Sequence, residues 1–138
     1  MSFESIDNKN LWNELFDSAP HSNLINVNLL PHILDNIDLE TIVDYIINEI
    51  NDYKLPKKQL ARFKVLEILM DKTKHETEIV KIIIFKKYYR DIYKCFDKSN
   101  EHIVRWTIIT NFKKIYNNYK NSKIIKYYNM MNNQFKIK

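Results

Sequence analysis

The side chains able to do chemistry in this chain are four histidines, one cysteine, a cluster of carboxylates and a long run of lysines mixed with aromatics. His21, His32, His75 and His102 show no metal-ligand spacing among themselves, and no HExxH-type pair exists. Cys95 stands alone, which rules out an intramolecular disulfide and a thiolate-rich metal site. It fits a reducing cytosolic or nuclear compartment, and the expectation for it is a buried, inert thiol. His75 and Glu76, followed by Glu78, lie at an expected helix start, where acids suit the dipole better than they suit catalysis. The carboxylates of residues 35–52 lack a counter-group that would push one pKa apart from another, and no nucleophile has a base in tow. These residues predict a non-catalytic protein with no cofactor and no metal.

The absence of glycine narrows the choice further. A phosphate-cradling loop, a dinucleotide fingerprint, a nucleophile elbow and an EF-hand loop all need glycine for positive φ or close backbone approach. Tight hairpins lose their favoured residues too, so an all-β fold is hard to build and helices are the economical solution. Ile, Asn and Lys together supply 57 of 138 residues while Arg numbers three, the imprint of AT-rich codons. Some lysines therefore stand where any solvated residue would do. Residues 1–17 carry acids and no basic flank before an apolar run, unlike a secretory signal, and no stretch approaches the ~18 apolar residues of a membrane span.

Charge is strongly split. Residues 1–52 hold ten acids against Lys9, and residues 53–138 hold twenty-one bases against seven acids, giving −9 and +14 within a net +5. Residues 102–138 carry eight Lys or Arg and no acid, interleaved with Trp106, Phe112, Tyr116, Tyr119, Tyr127, Tyr128 and Phe135. Bases beside aromatics are what single-stranded nucleic acid favours, through phosphate attraction and stacking. The same aromatics fall at core spacing, so most are expected inside. That leaves Lys113, Lys114, Lys120, Lys123 and Lys126 as a basic outer face, which the acidic N-terminal part could equally balance within the fold.

The elements that must position these residues read as helices. Leu11, Trp12, Leu15 and Phe16 recur at helical spacing in residues 8–17, and Leu30, Ile33, Leu34 and Ile37 form one face behind Pro31. Asp38 caps a third helix whose stripe is Leu39, Ile42, Val43, Ile46, Ile47 and Ile50, with Glu40, Asp44 and Glu49 expected to face water. Pro56 opens a fourth, to about Thr73, and residues 77–96 form one long helix or two with a break near Phe85, a strand through 80–85 being the competitor. Ser99 or Asn100 can cap the next, whose core side is Val104, Ile108, Ile109, Phe112, Ile115, Tyr116 and Tyr119, and Ser122 a last one on Ile124, Tyr128, Met131 and Phe135. Asn36, Asn51, Asn118 and Asn121 stand where glycine usually ends a helix. The expected architecture is all-α, a single domain at 1–138 of about seven helices in superhelical or bundle packing around a central helix near 56–73.

In that fourth helix Leu60, Ala61, Phe63, Val65, Leu66, Ile68, Leu69 and Met70 cover most of the circumference, which predicts burial. A narrow polar stripe remains, with Lys57, Lys64, Glu67 and Asp71, in which Lys64 reaches Glu67 at i+3. The stripe is either a solvated strip with local ion pairs or the lining of a groove. Residues 55–71, LPKKQLARFKVLEILMD, resemble the central helix of the CTD-interacting domains of RNA polymerase II-associated factors, and residues 42–47, IVDYII, the helix before it. Loosely, the resemblance spans residues 24–119. It implies a VHS- or ENTH-like superhelix that binds a polymerase-tail peptide, with Glu67 at the position of the family's aspartate and Ile68 where a small polar residue is common.

Together these readings favour an intracellular adaptor receiving an acidic or phosphorylated peptide beside the fourth helix, through Arg62, Lys64, Glu67 and Asp71. Arg62 and Lys64 would meet the phosphate. The rival is a single-stranded RNA- or DNA-binding domain that uses Lys113, Lys114, Lys120, Lys123 and Lys126. A third reading, a viral apoptosis-regulator-like bundle offering a groove to a partner helix, fits size and composition but lacks that group's glycine-containing signature.

Overall fold

The hydrophobic spacing emerges as helices throughout the computed structural model, which describes residues 6–16, 25–51, 55–71 and 75–137. In chain order these are α1 (Ile6–Leu15), a 3-10 turn (Val27–Leu29), α2 (Leu30–Asn36), α3 (Leu39–Ile50), α4 (Pro56–Asp71), α5 (Glu76–Phe85), α6 (Tyr89–Lys98), α7 (His102–Asn118) and α8 (Ser122–Ile137). No strand forms among the described residues, and the run 80–85 that competed as one lies in α5. The count is eight because 77–96 divides in two. One core joins all eight helices, from Trp12 and Leu15 of α1 to Ile124 and Met131 of α8.

The fourth helix is interior, as its composition predicts. Phe63, Val65, Leu66 and Leu69 are wholly buried, and α4 packs on α3, α5 and, most extensively, α7. Each such side chain contributes about 1.5–3 kcal/mol by leaving water. Asn111 of α7, itself buried, donates from Nδ2 to the Phe63 carbonyl of α4 at 3.1 Å and to Thr107 at 2.9 Å, which fixes the rotation of α7 on the central helix. At the start of α3 the Asp38 carboxylate accepts the Thr41 N–H at 2.9 Å, the expected cap, and that bond lowers the Asp38 pKa.

Other helix ends depart from expectation. None of the four asparagines takes the left-handed conformation. Among the described residues the positive-φ position is Lys87, at φ 59°. It closes α5: Tyr88 N–H reaches back to the Ile83 carbonyl at 2.9 Å and Lys87 N–H to Ile84 at 3.2 Å, the two bonds of a Schellman motif. That motif is the break between α5 and α6. Asn121 does the reverse of what was expected, since its Oδ1 accepts the Ile124 N–H at 2.8 Å and so starts α8, one residue ahead of Ser122. Glu101 is the N-cap residue of α7, and the Ser99 hydroxyl accepts the Glu101 N–H at 3.2 Å instead of capping the helix directly.

A lysine Cβ in the left-handed region costs about 1 kcal/mol relative to glycine. Lys87→Gly is therefore expected to stabilise the protein by about that amount, read as a higher urea midpoint with unchanged slope.

Candidate functional site

Helix α3 carries acids on two flanks, and basic residues elsewhere in the fold meet both. On one flank Glu49 accepts the Trp12 indole N–H at 2.8 Å and a two-pronged contact from Arg62, whose Nε and Nη2 lie 3.2 and 3.1 Å from its oxygens. Lys58 stands 3.8 Å away, and the Arg62 guanidinium lies over the Phe16 ring at 3.6 Å. One carboxylate thus joins α1, α3 and α4. On the other flank Glu40 and Asp44, one turn apart, hold Lys86 at 2.8 and 2.9 Å, and the Tyr88 hydroxyl donates to Asp44 at 2.5 Å. This second cluster ties the α5–α6 turn to α3.

The first cluster engages a residue of the expected peptide site. Arg62 cannot serve an external phosphate without abandoning Glu49, and a charge left unpaired in so enclosed a place costs a few kcal/mol. Helical phase gives a second reason: Arg62 and Lys64 are two residues apart, about 200° around the axis, so they face opposite ways. Lys64 and Glu67 do share a face of α4 and are half-buried, yet no ion pair joins them. Asp71 ends the helix, and its side chain lies outside the described residues. The structure therefore divides this set.

The second set falls around the α7–α8 turn. Lys113 and Lys114 lie on the last turns of α7, Lys120 in the link, and Lys123 and Lys126 on the first turns of α8. Lys113, Lys120, Lys123 and Lys126 are exposed and Lys114 is half-buried. Among the described residues Lys113, Lys120, Lys123 and Lys126 make no ion pair, and the Lys120 ammonium sits 5.0 Å from the Tyr116 ring. Arg105, by contrast, is removed from this surface. It is buried over the Phe96 ring, its Nη1 donates to the Phe96 and Ser99 carbonyls at 2.7 and 3.0 Å, and burial lowers its pKa against the pull of Asp97.

Most of the C-terminal aromatics are packing, as their spacing implies. Tyr128 stacks on Tyr116 at 4.5 Å between α7 and α8, and Tyr127 meets Tyr93 at 4.8 Å between α6 and α8. Trp106 and Tyr119 are different, at 53% and 49% exposure. The signal for Trp106 was present in the sequence. With Val104, Ile108 and Ile115 inward, a residue two beyond Val104 must lie on the opposite side of α7. Glu49 and Lys86 were missed because their partners are 9 to 46 residues away along the chain.

Among the described residues no group of three or more His, Cys, Asp or Glu side chains converges as a metal site would need. No helix among them is long and apolar enough to cross a membrane. No protein-family model matches the chain, and comparison with curated proteins and with solved structures yields no match.

The Asp44 cluster gives a pH signature. Burial first, then the hydrogen bond to Asp44, pushes the Tyr88 phenol up to about 12 from its ordinary 10.0. The folded state holds this proton more tightly than the unfolded chain does, so the stabilisation is complete below pH 10 and is lost as pH rises through about 12. Lys86, raised by Glu40 and Asp44, acts in the same direction. Phenolate absorbance during an alkaline titration should show one late tyrosine that is missing in Tyr88→Phe, and the variant's stability should fall less steeply over that range.

Proposed function

We propose that the chain is a non-catalytic helical module that binds an anionic polymer, nucleic acid, on the surface formed around the α7–α8 turn. The observation that carries this reading is where the acids go. Glu40, Asp44 and Glu49 are matched by Lys86, Arg62 and Lys58, on the α3 side of the molecule. The lysines of residues 113–126 lie in a stretch that contains no acid at all. A predominantly basic surface, presented by two packed helices and met at its edge by the Glu76 carboxylate, which accepts the Asn118 amide at 3.2 Å, concentrates a polyanion and gains from counterion release.

A labelled single-stranded oligonucleotide, followed by fluorescence anisotropy over a salt series, tests the proposal. Each phosphate contact on a single strand contributes about −0.7 to the slope of log K against log salt. Lys123→Glu with Lys126→Glu should weaken binding and flatten the slope by about two contacts' worth. Binding without salt dependence, or a slope that the double variant leaves unchanged, refutes the assignment of this surface.

A second reading keeps the protein-interaction role, with an acidic or phosphorylated peptide beside α4. It is favoured by Lys64 and Glu67, which are half-buried on one face and not paired with each other. Arg62 takes no part in this version. Titration with a phosphopeptide and its unphosphorylated form should then show a preference for phosphate that Lys64→Glu removes. Equal affinities for the two forms would eliminate it.

A further inference from the structure

Trp106 does not stand alone. It lies one turn beyond His102 on the outer side of α7, and Phe135, from the far end of α8, inserts between them. The Phe135 ring is 4.6 Å from His102 at 31° and 5.7 Å from Trp106 at 40°. Ile103, on the same turn, is as exposed as the indole, at 53%. Three rings from two helices thus form a row whose outermost member is more than half open to solvent. Packing does not require this, because the core side of α7 is filled by Val104, Ile108, Phe112 and Ile115, all buried.

We infer that the His102–Phe135–Trp106 row is a stacking platform for an unpaired nucleobase, and that it makes the polymer surface selective for single strands. The inference rests on the nucleic-acid reading above and deepens it. Two features of the surface choose a base as the occupant rather than an apolar protein face. First, the platform opens the helix that also carries Lys113, and beyond Glu101 at its N-cap no acid follows through residue 138. Second, Lys113 lies seven residues along α7 from Trp106, about 10 Å at the rise of a helix, and points to the same side. An extended strand whose phosphates follow Lys113, Lys120 and Lys123 reaches the indole within a few nucleotides. A duplex keeps its base faces stacked inward and offers the platform nothing. Every base has a π-face, so the platform discriminates strandedness more than sequence.

The two tryptophans make the test direct. Trp12 is buried and hydrogen-bonded to Glu49, whereas Trp106 is open, so a stacked base quenches Trp106 alone. The full-length chain is titrated with single-stranded oligoadenylate and, separately, with its duplex with oligouridylate. Saturable quenching by the single strand only is expected. Trp106→Ala should weaken single-strand binding about tenfold or more while leaving the salt slope unchanged, because no charge is removed. Trp106→Phe should retain most of the affinity. The indole is exposed, so both variants are expected to fold, and circular dichroism checks this. Salt-dependent binding without quenching and with full affinity in Trp106→Ala overturns the platform and leaves the lysine surface standing. Quenching that depends on protein concentration alone, with a dimer in sedimentation that Trp106→Ala abolishes, overturns it in favour of self-association. No binding by either polymer overturns both readings together.

Discussion

The internal capture of α3's carboxylates is the constraint on which the rest of the molecule depends. In a chain whose halves carry opposite charge, the acids of the first part could have met the bases of any later part. Three of them, Glu40, Asp44 and Glu49, meet Arg62 and Lys58 on α4 and Lys86 after α5, and each contact is also a structural joint. Glu49 draws the α1 indole and the α4 guanidinium to one point, and Asp44 draws in both Lys86 and the Tyr88 hydroxyl. The enclosed Glu49–Arg62 pair is worth more than an exposed one, whereas the Lys86–Glu40 pair, open at Glu40, contributes little. Because Glu40, Asp44 and Glu49 are held there, they are not available to Lys113, Lys120, Lys123 and Lys126.

Much of the architecture was legible because it follows from one-dimensional periodicity. The stripe of α3, the encircled apolar surface of α4 and the break near Phe85 each depend on neighbours three or four residues apart, and each is found. Helical phase also contained the separation of Arg62 from Lys64 and the outward position of Trp106, although composition alone had grouped them wrongly. What periodicity cannot hold is partner choice. Trp12 with Glu49 and Tyr88 with Asp44 span 37 and 44 residues, and nothing local in the sequence selects them. Helix ends were misread for a related reason. An asparagine is suited both to ending a helix in the left-handed region and to starting one as a cap, and Asn121 does the second.

A glycine-free chain must finish its helices by other means, and this one uses side chains and one strained lysine. The Ile50 carbonyl at the end of α3 accepts the Gln59 amide at 2.7 Å and the Cys95 thiol at 3.2 Å, which gives the buried cysteine a structural task. The last carbonyls of α6 are met by the Arg105 guanidinium, a cation at the negative end of a helix dipole. Its Nε and Nη2 remain without partners among the described residues, so the cap is bought with incomplete solvation of a buried charge. A cation used in this way is lost to the surface, and the count of bases in residues 102–138 overstates what a polymer would meet.

These internal bonds also bear on how a surface ligand would be held. Asn111 locks α7 to the Phe63 carbonyl of the central helix, and Tyr128 fills the seam between α7 and α8 against Phe112 and Tyr116. The backbone under Trp106, Lys113 and Lys123 is therefore fixed before any partner arrives. A ligand that binds such a face has only side chains to order, and the rings need far less ordering than the lysines. Base stacking on a rigid aromatic row and phosphate attraction to mobile ammonium groups thus differ in character. On the proposed reading the first would supply position and strand selectivity, and the second attraction that fades with salt. A face with lysines alone would gather any polyanion, duplex or single strand alike. The open Trp106 indole at one end of the lysines is the feature that would give such a face a direction and a reason to distinguish them.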